Sequence, residues 1–135
     1  MNPWELSASD LVTWGYIAHL VADWPLQSDW MAQNKSNLRH PAGYVHAGIH
    51  GLLFAVIFGW AAIPLAVSHL LIDTRKPVEW WTSLMSQKKP SGLSVGTAEG
   101  IEPPIAVIDM GLWVKLMMDQ VFHVICVAVA ALAVS

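Results

Sequence analysis

Four stretches of this 135-residue chain each carry two potential metal ligands spaced four residues apart: His19 and Asp23, His46 and His50, His69 and Asp73, Asp119 and His123. On an α-helix that spacing puts both side chains on one face, with Cβ atoms about 5–6 Å apart. Each pair can then supply one edge of a coordination sphere. Five imidazoles and three carboxylates, with no sulfur among them, suit Zn, Mn or Fe(II). Eight ligands suit two divalent ions better than one, with Zn foremost. Gln27 lies one helical step beyond Asp23 and Gln120 adjoins Asp119, so both are expected to support the ligands or to meet substrate. A carboxylate not needed as a ligand, Asp23 or Asp73, could serve as a general base.

Six His and ten Asp plus Glu occur in the chain, so some pairs at this spacing arise by chance. A single His–Asp pair more often staples two helices than binds metal. Placement separates these four pairs from that reading. Each apolar segment has one pair, and five of the six His are used. Counted from one end of its segment, His19 is eight residues from Leu11, His50 nine from Gly59, His69 eight from Ala61 and His123 eleven from Val134. At about 1.5 Å per residue these depths agree to within roughly one helical turn. Ionisable groups in an apolar segment are costly, so a functional role is the default expectation.

The elements that must position these pairs are four apolar segments, at about 9–24, 43–58, 61–74 and 105–134. Ser7 or Ser9 is expected to cap the first, and Pro25 to kink or end it. Gly59-Trp60 breaks the chain between the second and third. Residues 77–87, with Trp80, Trp81, Leu84 and Met85, read as a short amphipathic helix at an interface. Residues 88–104, rich in Gly, Pro and Ser, read as a loop. The fold expected is all-α: one domain over 1–135, an integral membrane up-down four-helix bundle with a short interfacial helix between the third and fourth spans.

Composition motivates the membrane. Charged residues are 13% of the chain and hydrophobic ones 55%, whereas a soluble domain is nearer 25% charged. Eight Trp fit the membrane–water interface. The first three segments are short, since a hydrocarbon core takes about 20 residues, so the expectation requires a locally thinned bilayer or partial insertion. Lys35 and Arg39 fall between segments one and two, and Arg75, Lys76, Lys88 and Lys89 between three and four. With alternating spans both basic loops share one side, which the positive-inside rule makes cytoplasmic. The expected location is a bacterial inner (cytoplasmic) membrane with both termini outside. Met1 to Asp10 has no Lys or Arg, so a signal peptide is not expected.

Other features exclude or rank low. A net charge of −3 and a single Cys, Cys126, argue against nucleic-acid duplex binding, disulfides and thiolate clusters. There is no phosphate-binding Gly-rich loop and no nucleophile elbow. His40 reads as a solvated loop residue. Asp10 and Asp29 read as caps or loop residues, and Met110, Met117 and Met118 as packing.

With these residues in hand, the chain resembles a family of small bacterial and phage membrane proteins known as domain of unknown function 3307. The resemblance rests on His19-x-x-x-Asp23-x-x-x-Gln27 followed by Ser28-Asp29-Trp30-Met31-Ala32, then His46-x-x-x-His50, His69-x-x-x-Asp73 and Asp119-Gln120-x-x-His123. It covers nearly the whole chain apart from the 88–104 loop, and it implies no activity. The chain is similar, more loosely, to membrane-bound metal-dependent hydrolases. The expected function is a metal-dependent hydrolase of a phosphoester, lipid-linked or nucleotide. Two ions would hold the phosphate, and Lys35, Arg39, Arg75, Lys76, Lys88 and Lys89 would draw the anion or anionic lipid head groups. The alternatives are a metal transport or sensing protein, and a phage-type membrane interaction protein whose polar layer only locks helices.

Overall fold

A computed structural model describes residues 6–85 and 110–135, with residues 110–112 described as backbone only. The elements are α1 (Ala8–Asp23), α2 (Asp29–Asn34), α3 (Pro41–Phe58), a 3₁₀ turn (Gly59–Ala61), α4 (Ala62–Asp73), α5 (Lys76–Met85) and α6 (Met110–Val134). The expected 88–104 loop, and the 105–109 start expected for the last segment, lie outside the described residues.

Local chemistry explains the boundaries. Ser7 caps α1 in a capping box: its hydroxyl accepts from the Asp10 amide and the Asp10 carboxylate accepts from the Ser7 amide. Hydrogen bonds donated to Asp10 Oδ2 by the Ser7 hydroxyl, and then by the Ser7 amide, hold the Asp10 carboxyl below its ordinary pKa. The helix stops at Trp24, just before Pro25. Ser28 caps the short α2, which the hydropathy pattern does not announce. Pro41 opens α3, where its missing N–H costs nothing. His40, expected to be solvated, is the cap: its Nδ1 accepts from the Ala42 amide at 3.2 Å. Gly59, at φ 56°, reverses the chain between α3 and α4.

Helices α1, α3, α4 and α6 pack around one axis. Their core is Leu11 and Ala18 from α1, Phe54 and Phe58 from α3, Ala61 from the 3₁₀ turn, Ala62 and Leu65 at the start of α4, and Val127 and Ala131 from α6. The start of α1, the end of α3, the start of α4 and the end of α6 therefore meet at one end of the bundle. The outward faces are also apolar: Trp14, Leu52, Val56, Ile63, Val67, Val129 and Leu132 are all about half exposed or more. A short amphipathic helix does follow α4, burying Val78 and exposing Trp80, Leu84 and Met85.

The all-α class holds, but the four-span integral bundle does not. Among the described residues only two stretches are long and apolar enough to cross a membrane, Pro41–Asp73 and Trp113–Val134. The first folds back at Gly59, leaving α3 with 18 residues and α4 with 12. At about 1.5 Å per residue α4 is roughly 18 Å long and the 16-residue α1 roughly 24 Å, against a hydrocarbon core of about 30 Å. Helix packing needs only a shared apolar face, so short helices can join the bundle without crossing a bilayer.

Gly15 shows how closely α1 lies on its neighbours. A Cβ there would meet Phe58 Cζ and Val127 Cγ1 at 2.6 Å, whereas one at Gly48 would meet nothing within 4 Å. Gly15→Ala is expected to destabilise the fold by about 1–3 kcal/mol through overpacking. Gly48→Ala should be neutral or stabilising by up to about 1 kcal/mol, because Ala is the better helix former. Thermal unfolding in detergent checks both, and equal midpoints for the two variants would contradict the α1–α3–α6 packing.

Candidate metal centre

Directly beneath the apolar core, α1, α3 and α4 each turn a ligand pair inward, and α6 turns in His123. His19 and Asp23 come from the last turns of α1, and His46 and His50 from the middle of α3. His69 and Asp73 come from the end of α4, and Asp119 and His123 from mid-α6. His46 and His50 are fully buried, and His19, His69, Asp73 and His123 are at most 4% exposed. The five imidazoles crowd together, with ring centroids from 3.5 Å (His50–His69) to 5.4 Å (His19–His69) between neighbours.

Asp23 is the hub. Its Oδ1 accepts from His46 Nε2 and His50 Nε2, each at 3.1 Å. Its Oδ2 lies 3.3 Å from His19 Nε2. Burial alone would raise its pKa, but the two His hydrogen bonds and the Lys35 charge hold the carboxyl well below the usual range. Asp73 is the second hub. Its Oδ2 lies 3.3 Å from His69 Nε2 and 3.5 Å from His46 Nε2, and its Oδ1 lies 3.9 Å from His123 Nε2.

Among the described residues two ligand groups are compact enough for a metal: Asp23, His46, His50 and His69, and then His69, Asp73 and His123, with ligand atoms in each within 4.8 Å of one another. They share His69 and so adjoin. His123 is oriented as metal-binding imidazoles usually are: its Nδ1 donates to the Asp119 carbonyl at 2.8 Å. That leaves Nε2 with its lone pair facing the cluster and without a hydrogen-bond partner among the described residues. His69 Nδ1 also has none, and His69 Nε2 meets Asp73 Oδ2 at 3.3 Å. A buried polar atom left unpaired costs about 1–3 kcal/mol, which a cation accepting these lone pairs would offset. The donor set is one that could hold a divalent metal.

Three predicted residues are placed differently from the seven that converge. The Asp119 carboxylate stands outside both ligand groups, 3.7 Å from His123 Nδ1. Gln120 bridges the cluster, its Oε1 3.1 Å from His19 Nε2 and its Nε2 donating to Asp23 Oδ2 at 3.4 Å. Gln27 keeps a buried Oε1 without a hydrogen-bond partner among the described residues. Asp23, Gln27, Asp73, Asp119 and Gln120 all line one cavity of about 600 Å³.

The basic residues divide. Lys35 and Arg75 line that cavity, and Lys115 joins them from α6. Arg39 is exposed in the turn before α3 and does not line it. Lys88 and Lys89 lie outside the described residues. Arg75 holds φ 63°, the left-handed region that costs a non-Gly residue about 1 kcal/mol or more. Spacing alone does not reveal how deep Lys35 reaches: Nζ is 3.3 Å from Asp73 Oδ1, 3.3 Å from His46 Nε2 and 3.8 Å from Asp23 Oδ1. Its one sequence signal is that it follows a Ser-capped turn of helix that carries it back over the site.

The profile of a family described as "Protein of unknown function (DUF3307)" matches residues 11–135. No curated protein and no solved structure matches the chain, so the looser similarity to metal-dependent hydrolases has no support among known proteins.

Proposed function

Since the chain belongs to the DUF3307 family, whose description names no activity, we propose from its site alone that it is a metal-dependent hydrolase acting on a phosphoester at a membrane. The observation that carries this reading is a buried seven-residue His/Asp cluster that opens, on its Lys35 and Arg75 side, into a cavity of about 600 Å³. A divalent ion, or two, held by His46, His50, His69, His123, Asp23 and Asp73 would neutralise phosphoryl charge and acidify a water. Zn is the first candidate, with Mn or Fe also compatible with the donors. His19 and Gln120 hold Asp23 in place from the other side.

Asp23 accepts hydrogen bonds from two imidazoles, and Asp73 lies 3.3 Å from both Lys35 Nζ and His69 Nε2, so in this reading both act as ligands. The base role therefore passes to Asp119, which faces the cavity without belonging to either ligand group. Arg75 and Lys115 at the cavity wall supply charge for an anionic substrate. The apolar outward faces and the two long apolar stretches support a bilayer location, and in this reading that bilayer is the bacterial inner membrane.

Metal handling is the second reading. It draws on the same crowding of five imidazoles, which could close the coordination sphere and leave no position for substrate. One experiment separates the two: measure metal per chain after purification in detergent, then assay generic phosphodiester and phospholipid substrates before and after chelation. Turnover that chelation abolishes and metal restores is expected. Bound metal with no turnover on any phosphoester would favour metal handling, and no bound metal in a folded protein would leave a helix-locking polar layer.

A further inference from the structure

Lys35 occupies the ground that a metal would need. Its Nζ is 3.3 Å from His46 Nε2 and 3.8 Å from Asp23 Oδ1, on two residues of the first ligand group, and 3.3 Å from Oδ1 of Asp73, a residue of the second. Zn–N and Zn–O bonds are about 2.0–2.2 Å long. A divalent ion bound to these atoms would therefore stand within a few ångströms of the ammonium as now placed, where two positive charges repel strongly.

The backbone beneath Lys35 is held firmly. Its amide donates to Met31 O at 2.8 Å, closing α2, and its carbonyl lies where a Cβ on Gly43 would approach to 2.8 Å. Only a residue without a side chain lets the end of α2 seat so closely on α3. The side chain, by contrast, is 19% exposed and reaches the centre from the open cavity. It is a flexible arm on a fixed base, and an arm of that kind can withdraw into the cavity.

Building on the metal-site reading above, we propose that Lys35 is a tethered counter-cation. It neutralises Asp23 and Asp73 while the site is metal-free, and it swings out when a divalent ion enters. The freed ammonium then stands at the cavity mouth, where it holds an anion such as phosphate beside the metal. The charge in the buried cluster stays compensated in both states, and the anion site is completed only once metal is present.

Equilibrium titration with Zn(II) or Mn(II), with and without inorganic phosphate, tests this on the full chain in detergent. Lys35→Met, which keeps the aliphatic length and removes the charge, is expected to bind the metal at least about tenfold more tightly than the native protein. Phosphate should tighten metal binding in the native protein and have little effect in Lys35→Met. Lys35→Arg, which retains the charge, should stay near the native affinity, and circular dichroism confirms that each variant is folded. Metal binding in the native protein that is unchanged or weaker in Lys35→Met overturns the counter-cation role while leaving the metal site standing. No metal bound by any folded form removes the metal site, and this role with it.

Discussion

Asp23→Asn is expected to strip the purified protein of its metal. Plasma mass spectrometry after detergent gel filtration should show metal content falling from about one or two ions per chain to a small fraction of one, with affinity down by more than about 100-fold. Asn keeps the volume and one carbonyl oxygen, so packing around residue 23 changes little. What is lost is the charge on which His46, His50 and His19 converge, and with it much of the compensation for a buried dication. Asp29→Asn, on the exposed first turn of α2, is the matched control and should keep its metal. Full metal content in Asp23→Asn would show that ions ligate elsewhere, and the cluster would then be a polar staple.

Asp119→Asn separates chemistry from metal binding. Its carboxylate lines the cavity but belongs to neither ligand group, so the variant should retain metal to within about twofold. Removing a positioned general base typically costs about 10²–10⁴ in rate, and phosphoester turnover should fall by that much. His123 is held through the Asp119 backbone carbonyl, which the substitution leaves in place. Loss of metal in parallel with turnover would make Asp119 a ligand. Unchanged turnover with metal retained would return the base role to another group.

The helices and the inward-facing pairs were legible because both follow from periodicity. A spacing of four sets one helix face whatever the helix packs against, so His46 with His50 and His69 with Asp73 could be paired from the sequence alone. The break at Gly59 was equally local, as was the cap of the first helix, which the sequence narrowed to Ser7 or Ser9 and the structure assigns to Ser7. The four-span expectation failed because hydropathy cannot tell an apolar helix that spans a membrane from one that only packs against it. α4, with 12 residues, has an apolar outward face yet is too short to cross. Asp119 was grouped with His123 on the same spacing rule, but at its depth in α6 the carboxylate meets the cavity rather than the ligand cluster.

By itself, then, the sequence determined the helical segments, their apolar character and which side chains share a helix face, since these depend on neighbours within one or two turns. Only the tertiary structure decided that Lys35 reaches between Asp23 and Asp73, that His69 is common to both ligand groups and that Gln120 bridges His19 to Asp23. Those contacts join residues up to about a hundred positions apart, and their geometry depends on how the helices are rotated and seated on one another. Close approach at Gly15 and Gly43 sets part of that seating, and no periodicity along the chain records it.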